Sequence, residues 1–410
     1  MKKDNLMQPS RKMTIAGHVL SIAGSLACAF FMILLLGWVI LNVHPDIYMS
    51  SAGDSGLIGN ILASITKKTS NMKGDVMNDY LSDADIIKKI YTIPEDATVA
   101  PAPDASCYGK ISYDEVDKVL DIIEQARRYR LLDEDEHVVF STDADFYLNG
   151  EIEYYLDETI FVLCWKEWIN QCPVNISEVR IADGSQFRRK ITGDTYGSGI
   201  QSYCSSLSNQ ANAVVGFNAD FYAFRNLGIT CYNRTVYRFG ESNYGANKAY
   251  NCVDTLFIDS NGDFKYFERG TVSTKEEVQK FVDDNDILFS MAFGPILIKD
   301  GELYNSNYAY PIGESFDQYS RAGIGMVSEH HYLYMNVQNI ASRADIPRAT
   351  LKGFAEIMYS KGLVEAYNLD GGQTGEVYIN GHTFNHVDWG NERAVSDIFY
   401  FATAIPEDER

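Results

Sequence analysis

The chain is predicted to fold as an α+β protein: a mixed, largely antiparallel sheet domain with few helices, preceded by an N-terminal transmembrane helix and a partly helical stalk. Three observations predict this. Beyond about residue 150 the sequence breaks into short β-rich runs joined by N-G and D-G turns, the signature of hairpins. Helical periodicity is confined to a few segments and does not alternate regularly with strands, which argues against a doubly wound sheet. Near the N-terminus, 30 residues from Thr14 to Val43 contain no Asp, Glu, Lys or Arg. That exceeds the roughly 20 residues a helix needs to cross a bilayer.

The order along the chain follows from these signals. Residues 1–13 hold Lys2, Lys3, Arg11 and Lys12 against Asp4 and read as a cytoplasmic tail. Residues 14–43 read as an uncleaved signal anchor, because the apolar part of a cleaved signal peptide is only about 7 to 15 residues long. With the basic residues before the span and Asp46 and Asp54 after it, the expected topology is single-pass in the cell membrane. The C-terminal domain is then extracellular. Gly17, Ser21, Ser25 and Ala29 recur every fourth residue, a small-residue stripe that suits a homodimer through the membrane helix.

Residues 44–150 read as a stalk or spacer. They contain a P-x-P stretch at Pro101 to Pro103 and one amphipathic helix between Tyr113 and Leu132, with Val116, Val119, Leu120, Ile122, Ile123 and Ala126 on its apolar face. Residues 151–406 form the main domain. Hairpins are expected over Thr255 to Phe267, Ile296 to Leu303 and Glu376 to Phe384, and a further strand pair flanks Ser328 to His331. Leu351, Phe354, Ala355 and Met358 mark a helix ending near Gly362.

Composition bounds the partners. The formal net charge is −21, so the surface repels polyanions and nucleic-acid binding is excluded. Any phosphate must meet a local Arg or Lys. Six of the seven cysteines follow the apolar span: Cys107, Cys164, Cys172, Cys204, Cys231 and Cys252. In an oxidising compartment they permit three disulfides, with Cys164 and Cys172 near enough to close a short loop. Asn175 and Asn233 head glycosylation sequons. No spacing implies a metal or cofactor; the Asp259-x-Asn261-x-Asp263 run lacks the glycine and terminal glutamate of a calcium loop.

Chemistry concentrates in four segments. Tyr367 to Gly372 reads Y-N-L-D-G-G, with Asp370 ahead of two glycines that let the backbone turn and approach a ligand. Gly216 to Gly228 carries Asn218 and Asp220 on one face of a strand by period-two alternation. Ser320 to Gly325, S-R-A-G-I-G, sets Arg321 in an otherwise apolar strand, where a buried guanidinium needs an anion. Arg343 to Thr350 is the fourth.

These segments resemble the phosphodiester glycosidase family. Asn218-Ala219-Asp220-Phe221-Tyr222 is similar to its N-G-D-F-F strand, Arg321 to Gly325 to its R-x-A-I-G strand, Thr350 to Thr374 to its helix followed by N-L-D-G-G-x-S/T, and Glu392 to Val395 to its E-R-x-V strand. The order is kept over roughly residues 155 to 406. Two departures stand out: Ala219 replaces a glycine, and Gln373-Thr374-Gly375-Glu376 replaces the usual residues after the acid. The resemblance implies hydrolysis of a sugar-1-phosphate diester on a cell-envelope or surface glycan. Asp370, Asp220 and Arg321 would be catalytic. Asn218, Asn368, Gly371, Gly372, Thr374 and Arg343 would bind substrate, with the asparagines holding sugar hydroxyls or orienting the acids. The alternative is an inactive glycan-binding or exopolysaccharide-assembly protein on the same fold.

Overall fold

Alternation of apolar side chains along two long strands sets the architecture. In Ile160–Ile169, Phe161, Leu163 and Trp165 point into one core while Val162 and Cys164 point into another. A strand buried on both faces must be covered twice, and it is. The computed structural model describes residues 90–132, 138–147, 150–220, 222–224, 227–240, 242–243, 248–304, 315–338 and 348–410. The anchor predicted at 14–43 lies outside them. Among the described residues no helix is long and apolar enough to cross a membrane.

Ile90–Arg410 forms one compact unit. Its largest sheet has nine strands in the order Tyr108–Ser112, Glu151–Leu156, Ile160–Ile169, Cys172–Ile181, His331–Val337, Arg321–Ser328, Glu365–Leu369, Ile296–Lys299 and Glu302–Leu303. Helices α1 (Lys118–Arg128) and α4 (Leu351–Tyr359) share a core with one face. The other face shares a second core with a five-stranded sheet of His382–Thr383, Val377–Ile379, Val215–Asn218, Asp397–Phe401 and Phe187–Ile191. A further five-stranded sheet reaches that core through Leu256, Ile258, Phe289 and Met291. Helices α2 (Cys204–Ala211) and α3 (Lys275–Asp284) complete the α-helices among the described residues. Each pairing between these strands is antiparallel.

The helix that leads to Y-N-L-D-G-G is fixed at both ends. The Thr350 hydroxyl accepts from Gly353 N at 3.0 Å, capping α4, and the buried Leu351, Phe354, Ala355, Ile357 and Met358 hold it down. Each such burial contributes about 1.5–3 kcal/mol for the larger side chains. Close contact requires a bare strand beneath: a Cβ on Gly323 would stand 3.0 Å from Phe354 and 3.1 Å from Met358. Gly323 of S-R-A-G-I-G therefore seats the helix.

Three expectations are corrected. Residues 108–128, read as spacer, belong to the sheet and its covering layer, because Tyr108–Ser112 pairs with Glu151–Leu156 and α1 buries Val119, Ile123 and Ala126. All six described cysteines are free thiols. Cys164 and Cys172 cannot meet, since their side chains enter the cores on opposite faces of the sheet and the Cys164 thiol donates to Ser177 at 3.3 Å. The sequon asparagine Asn175 is 2% exposed and bonded to Tyr147 and Asn336, so it is no glycosylation site.

Candidate active site

The strand Glu365–Leu369 ends at Asp370, and the chain turns at once through Gly371 and Gly372. Gly371 is required here. A Cβ would meet Ser320 O at 2.5 Å and Arg321 Cα at 2.9 Å, both backbone atoms that cannot swing aside. Gly372 sits at φ 66°. This close crossing brings the N-L-D-G-G loop against the start of the strand Arg321–Ser328, and a cleft of about 180 Å³ opens between them. Asn368, Asp370, Gly371, Gly372 and Arg321 line it, with Ser320, Tyr319, Phe293 and Asp388.

Arg321 is held in place by its own strand's neighbourhood. Its Nε donates to Ala349 O at 3.2 Å and one Nη to Asp317 O at 3.0 Å, and its guanidinium lies 5.7 Å from the centre of the Tyr319 ring. Arg348 lies 5.9 Å from that ring, half-buried, with no carboxylate partner among the described residues. Two guanidinium groups thus attend one aromatic ring at the cleft wall. Arg343, the second arginine expected from sequence, lies outside the described residues.

Asn218 orients the acid from behind. Its Nδ2 donates to the Asp370 carbonyl at 2.7 Å while its Oδ1 accepts from the buried Tyr334 hydroxyl at 2.6 Å. At 2% exposure it meets no solvent, so of the two roles expected for it this geometry supports orientation. Asn368 Nδ2 donates to Gly294 O at 2.8 Å, and its buried Oδ1 has no hydrogen-bond partner among the described residues.

Asp220 is elsewhere. The strand Val215–Asn218 stops before it, and its carboxylate is buried 3.3 Å from Arg189, which also binds Asp397 at 2.6 Å. Arg189 further donates to the carbonyls of Cys231 and Ser290. Burial raises the Asp397 carboxyl above the usual range, opposed by Arg189 and reinforced by Asp220. The pair with Asp370 expected from sequence is corrected: Asp220 belongs to a buried ion cluster with Arg189 and Asp397 and does not line the cleft. Thr374 is corrected likewise, because its hydroxyl turns back to Gly371 O at 2.7 Å and does not line the cleft.

The carboxylate that does share the cleft with Asp370 is Asp388, which sequence reasoning missed. Both of its oxygens accept from the Ser320 hydroxyl, at 3.1 and 2.9 Å, and Oδ2 stands 3.5 Å from where a Gly372 Cβ would be. Its signal was faint: an acid in a D-W-G turn just before E-R-x-V.

The departure at Gln373 to Glu376 faces away from this chemistry. Gln373 donates to Asn391 O at 3.0 Å, and Gly375 O accepts from both Gln338 at 2.7 Å and Asn385 at 2.8 Å. Glu376 is buried, accepts from Thr383 at 2.7 Å and contacts Glu392, which in turn receives Ser205 N and Oγ at 3.0 and 2.6 Å. Burial first, then the hydrogen bond with Glu392, pushes the Glu376 carboxyl up to about 9.

Comparison with known proteins adds the following. A hypothetical protein from Synechocystis aligns at 14% identity with a TM-score of 0.43, over 63% of this chain and 64% of its own length. The catalytic domain of zebrafish N-acetylglucosamine-1-phosphodiester alpha-N-acetylglucosaminidase, auto-inhibited by its pro-peptide, aligns at 15% with a TM-score of 0.45, over 63% and 86%. A Burkholderia pseudomallei protein described as exported aligns at 13% with a TM-score of 0.37, over 58% and 75%. The chain thus spans less than two thirds of the Synechocystis protein. No curated protein matches. Both walls of the cleft, from the Ser320 to Arg321 side to the Asp370 to Gly372 side and Asp388, lie within residues 211–402, and this segment matches the family model described as phosphodiester glycosidase.

Proposed function

We propose that the protein is a membrane-anchored hydrolase that cleaves sugar-1-phosphate diesters on extracellular or cell-envelope glycans. The observation that supports this most is convergence: Asp370, Arg321, Asn368 and the paired glycines come from separate segments of the chain and line one cleft inside the span matching phosphodiester glycosidases. The anchor is residues 14–43, with the catalytic unit outside the cell.

The residues suit the step. Arg321 takes the phosphate, with Arg348 as a second cation behind Tyr319. Water adds to the anomeric carbon, the bond from that carbon to the phosphate oxygen breaks, and Asp370 accepts the proton lost by water. The products are the free sugar and a phosphomonoester on the remaining group. A phosphate leaves without a strong acid to protonate it, so anion recognition carries more weight than in ordinary glycoside hydrolysis. Asp388 stabilises positive charge developing on the sugar ring.

The test is turnover by the full-length protein on a panel of hexose-1-phosphate methyl diesters in ¹⁸O-labelled water. Equal release of sugar and methyl phosphate, with the label in the sugar, is expected. Label in the phosphate would overturn the bond assignment, and no turnover across the panel would favour the glycan-binding alternative.

A further inference from the structure

Trp389 follows Asp388 directly and is 82% exposed, the highest exposure of any large hydrophobic side chain among the described residues. It is also strained, at φ 63° and ψ 5°, a left-handed conformation that costs a residue with a side chain about 1–2 kcal/mol. Folding gains nothing from placing an indole in water at that cost. The other segment of the cleft also carries an exposed aromatic group: Tyr319, just before Ser320, lines the cleft and is 39% exposed. The Ser320 hydroxyl, bonded to both Asp388 oxygens, joins the two segments, each of which carries an exposed aromatic residue in, or next in sequence to, the cleft lining.

The cleft itself is small. At about 180 Å³ it falls below the roughly 300 Å³ at which pockets begin to enclose a drug-sized ligand, a size that suits one sugar ring and its phosphate. Whatever continues beyond that ring must lie on the rim. A pyranose presents a face of C–H groups that stacks on an indole while its hydroxyls stay in water, whereas the formal net charge of −21 disfavours a nucleic-acid base as the occupant.

We infer that Trp389, beside the cleft-lining Asp388 and together with the exposed Tyr319, forms an outer subsite that stacks the next sugar ring of the substrate, so that the natural substrate is an oligosaccharide or polysaccharide phosphodiester. This rests on the reading of the cleft as a sugar-phosphodiester site. It adds a specificity element that lies outside the reacting atoms.

The experiment uses full-length protein and two matched probes for each common hexose, a monosaccharide-1-phosphate methyl diester and the disaccharide-1-phosphate methyl diester carrying that sugar at its reducing end. Disaccharide probes should shield tryptophan emission from iodide quenching in the Asp370→Asn protein, and Trp389→Ala introduced into that protein should abolish the shielding. In the parent enzyme Trp389→Ala should lower the ratio of kcat/KM for disaccharide over monosaccharide probes by about tenfold. An unchanged ratio, or no disaccharide binding more tightly than its monosaccharide, overturns the subsite while turnover of the monosaccharide probes still upholds the hydrolase reading. Disaccharide shielding lost in Trp389→Ala without any turnover upholds the subsite and removes the hydrolase.

Discussion

Arg321 makes its case through geometry more than charge. Its planar fork is held by the carbonyls of Ala349 and Asp317, and an ammonium cannot reproduce two fixed donor directions. Arg321→Lys should therefore raise KM for phosphodiesters by about tenfold or more with little change in the urea midpoint; unchanged KM would remove Arg321 from phosphate recognition. Asn218 acts through Asp370. Replacing it with Ala leaves the Tyr334 hydroxyl buried without its Asn218 acceptor, a cost of about 1–3 kcal/mol, and removes the Asn218 donation to the Asp370 carbonyl. The expected result is a lower kcat at nearly constant KM, and Asn218→Asp should restore the Tyr334 bond but not the donation to Asp370. Gly371→Ala meets backbone at 2.5 Å and should cost about 1–3 kcal/mol as well as most activity. These residues were legible because each is an odd type in its place: an acid before two glycines, an arginine in an apolar strand. Asp220 misled for the same reason, since a buried acid beside an asparagine looks alike whether a substrate or Arg189 neutralises it.

At the level of elements, the hairpins at Thr255, Ile296 and Glu376 and the helix Leu351–Tyr359 could be read from turn residues and periodicity, because both signals are local. The contacts of the Asp370 loop could not. Its second half is held by Gln338, Asn385 and the Glu376–Glu392 carboxyl pair, partners 10 to 37 positions away in sequence. That pair makes stability depend on pH with a definite sign. Glu376 holds its proton up to about 9 in the folded protein but releases it near 4.5 when unfolded, so the folded state binds more protons between these values. Its contribution is complete below the unfolded value and is lost as pH rises toward 9. Glu392 works in the opposite direction: burial opposes its charge, but hydrogen bonds from Glu376 and Ser205 lower its carboxyl, and the stability this gives is lost as pH falls. The urea midpoint should decline from pH 5 to pH 9, and Glu376→Gln should flatten the decline. Parallel profiles for the two proteins would contradict the assignment.

For the whole molecule, sequence texture located the sheet-rich domain but placed its start too late. The strand Tyr108–Ser112 and helix α1 are separated from their partners by residues without strong pattern, and only the pairing with Glu151–Leu156 reveals that they belong to the sheet. Cysteine number misled at the same scale, because parity says nothing about which face of a strand a thiol occupies. In native protein a maleimide should reach the half-buried Cys107 and Cys252, and should reach Cys164, Cys172, Cys204 and Cys231 only after unfolding. A Cys164–Cys172 bridge in unreduced peptides would refute the arrangement. The proposed topology predicts that protease added to intact cells removes the C-terminal domain and spares the extreme N-terminus. The central claim is that one cleft unites Asp370 and Arg321 for hydrolysis, and its most direct test is turnover of a sugar-1-phosphodiester by full-length Asp370→Asn beside the parent protein. The account predicts a loss of about a hundredfold or more with an unchanged urea midpoint; hydrolysis at the parent rate would contradict it.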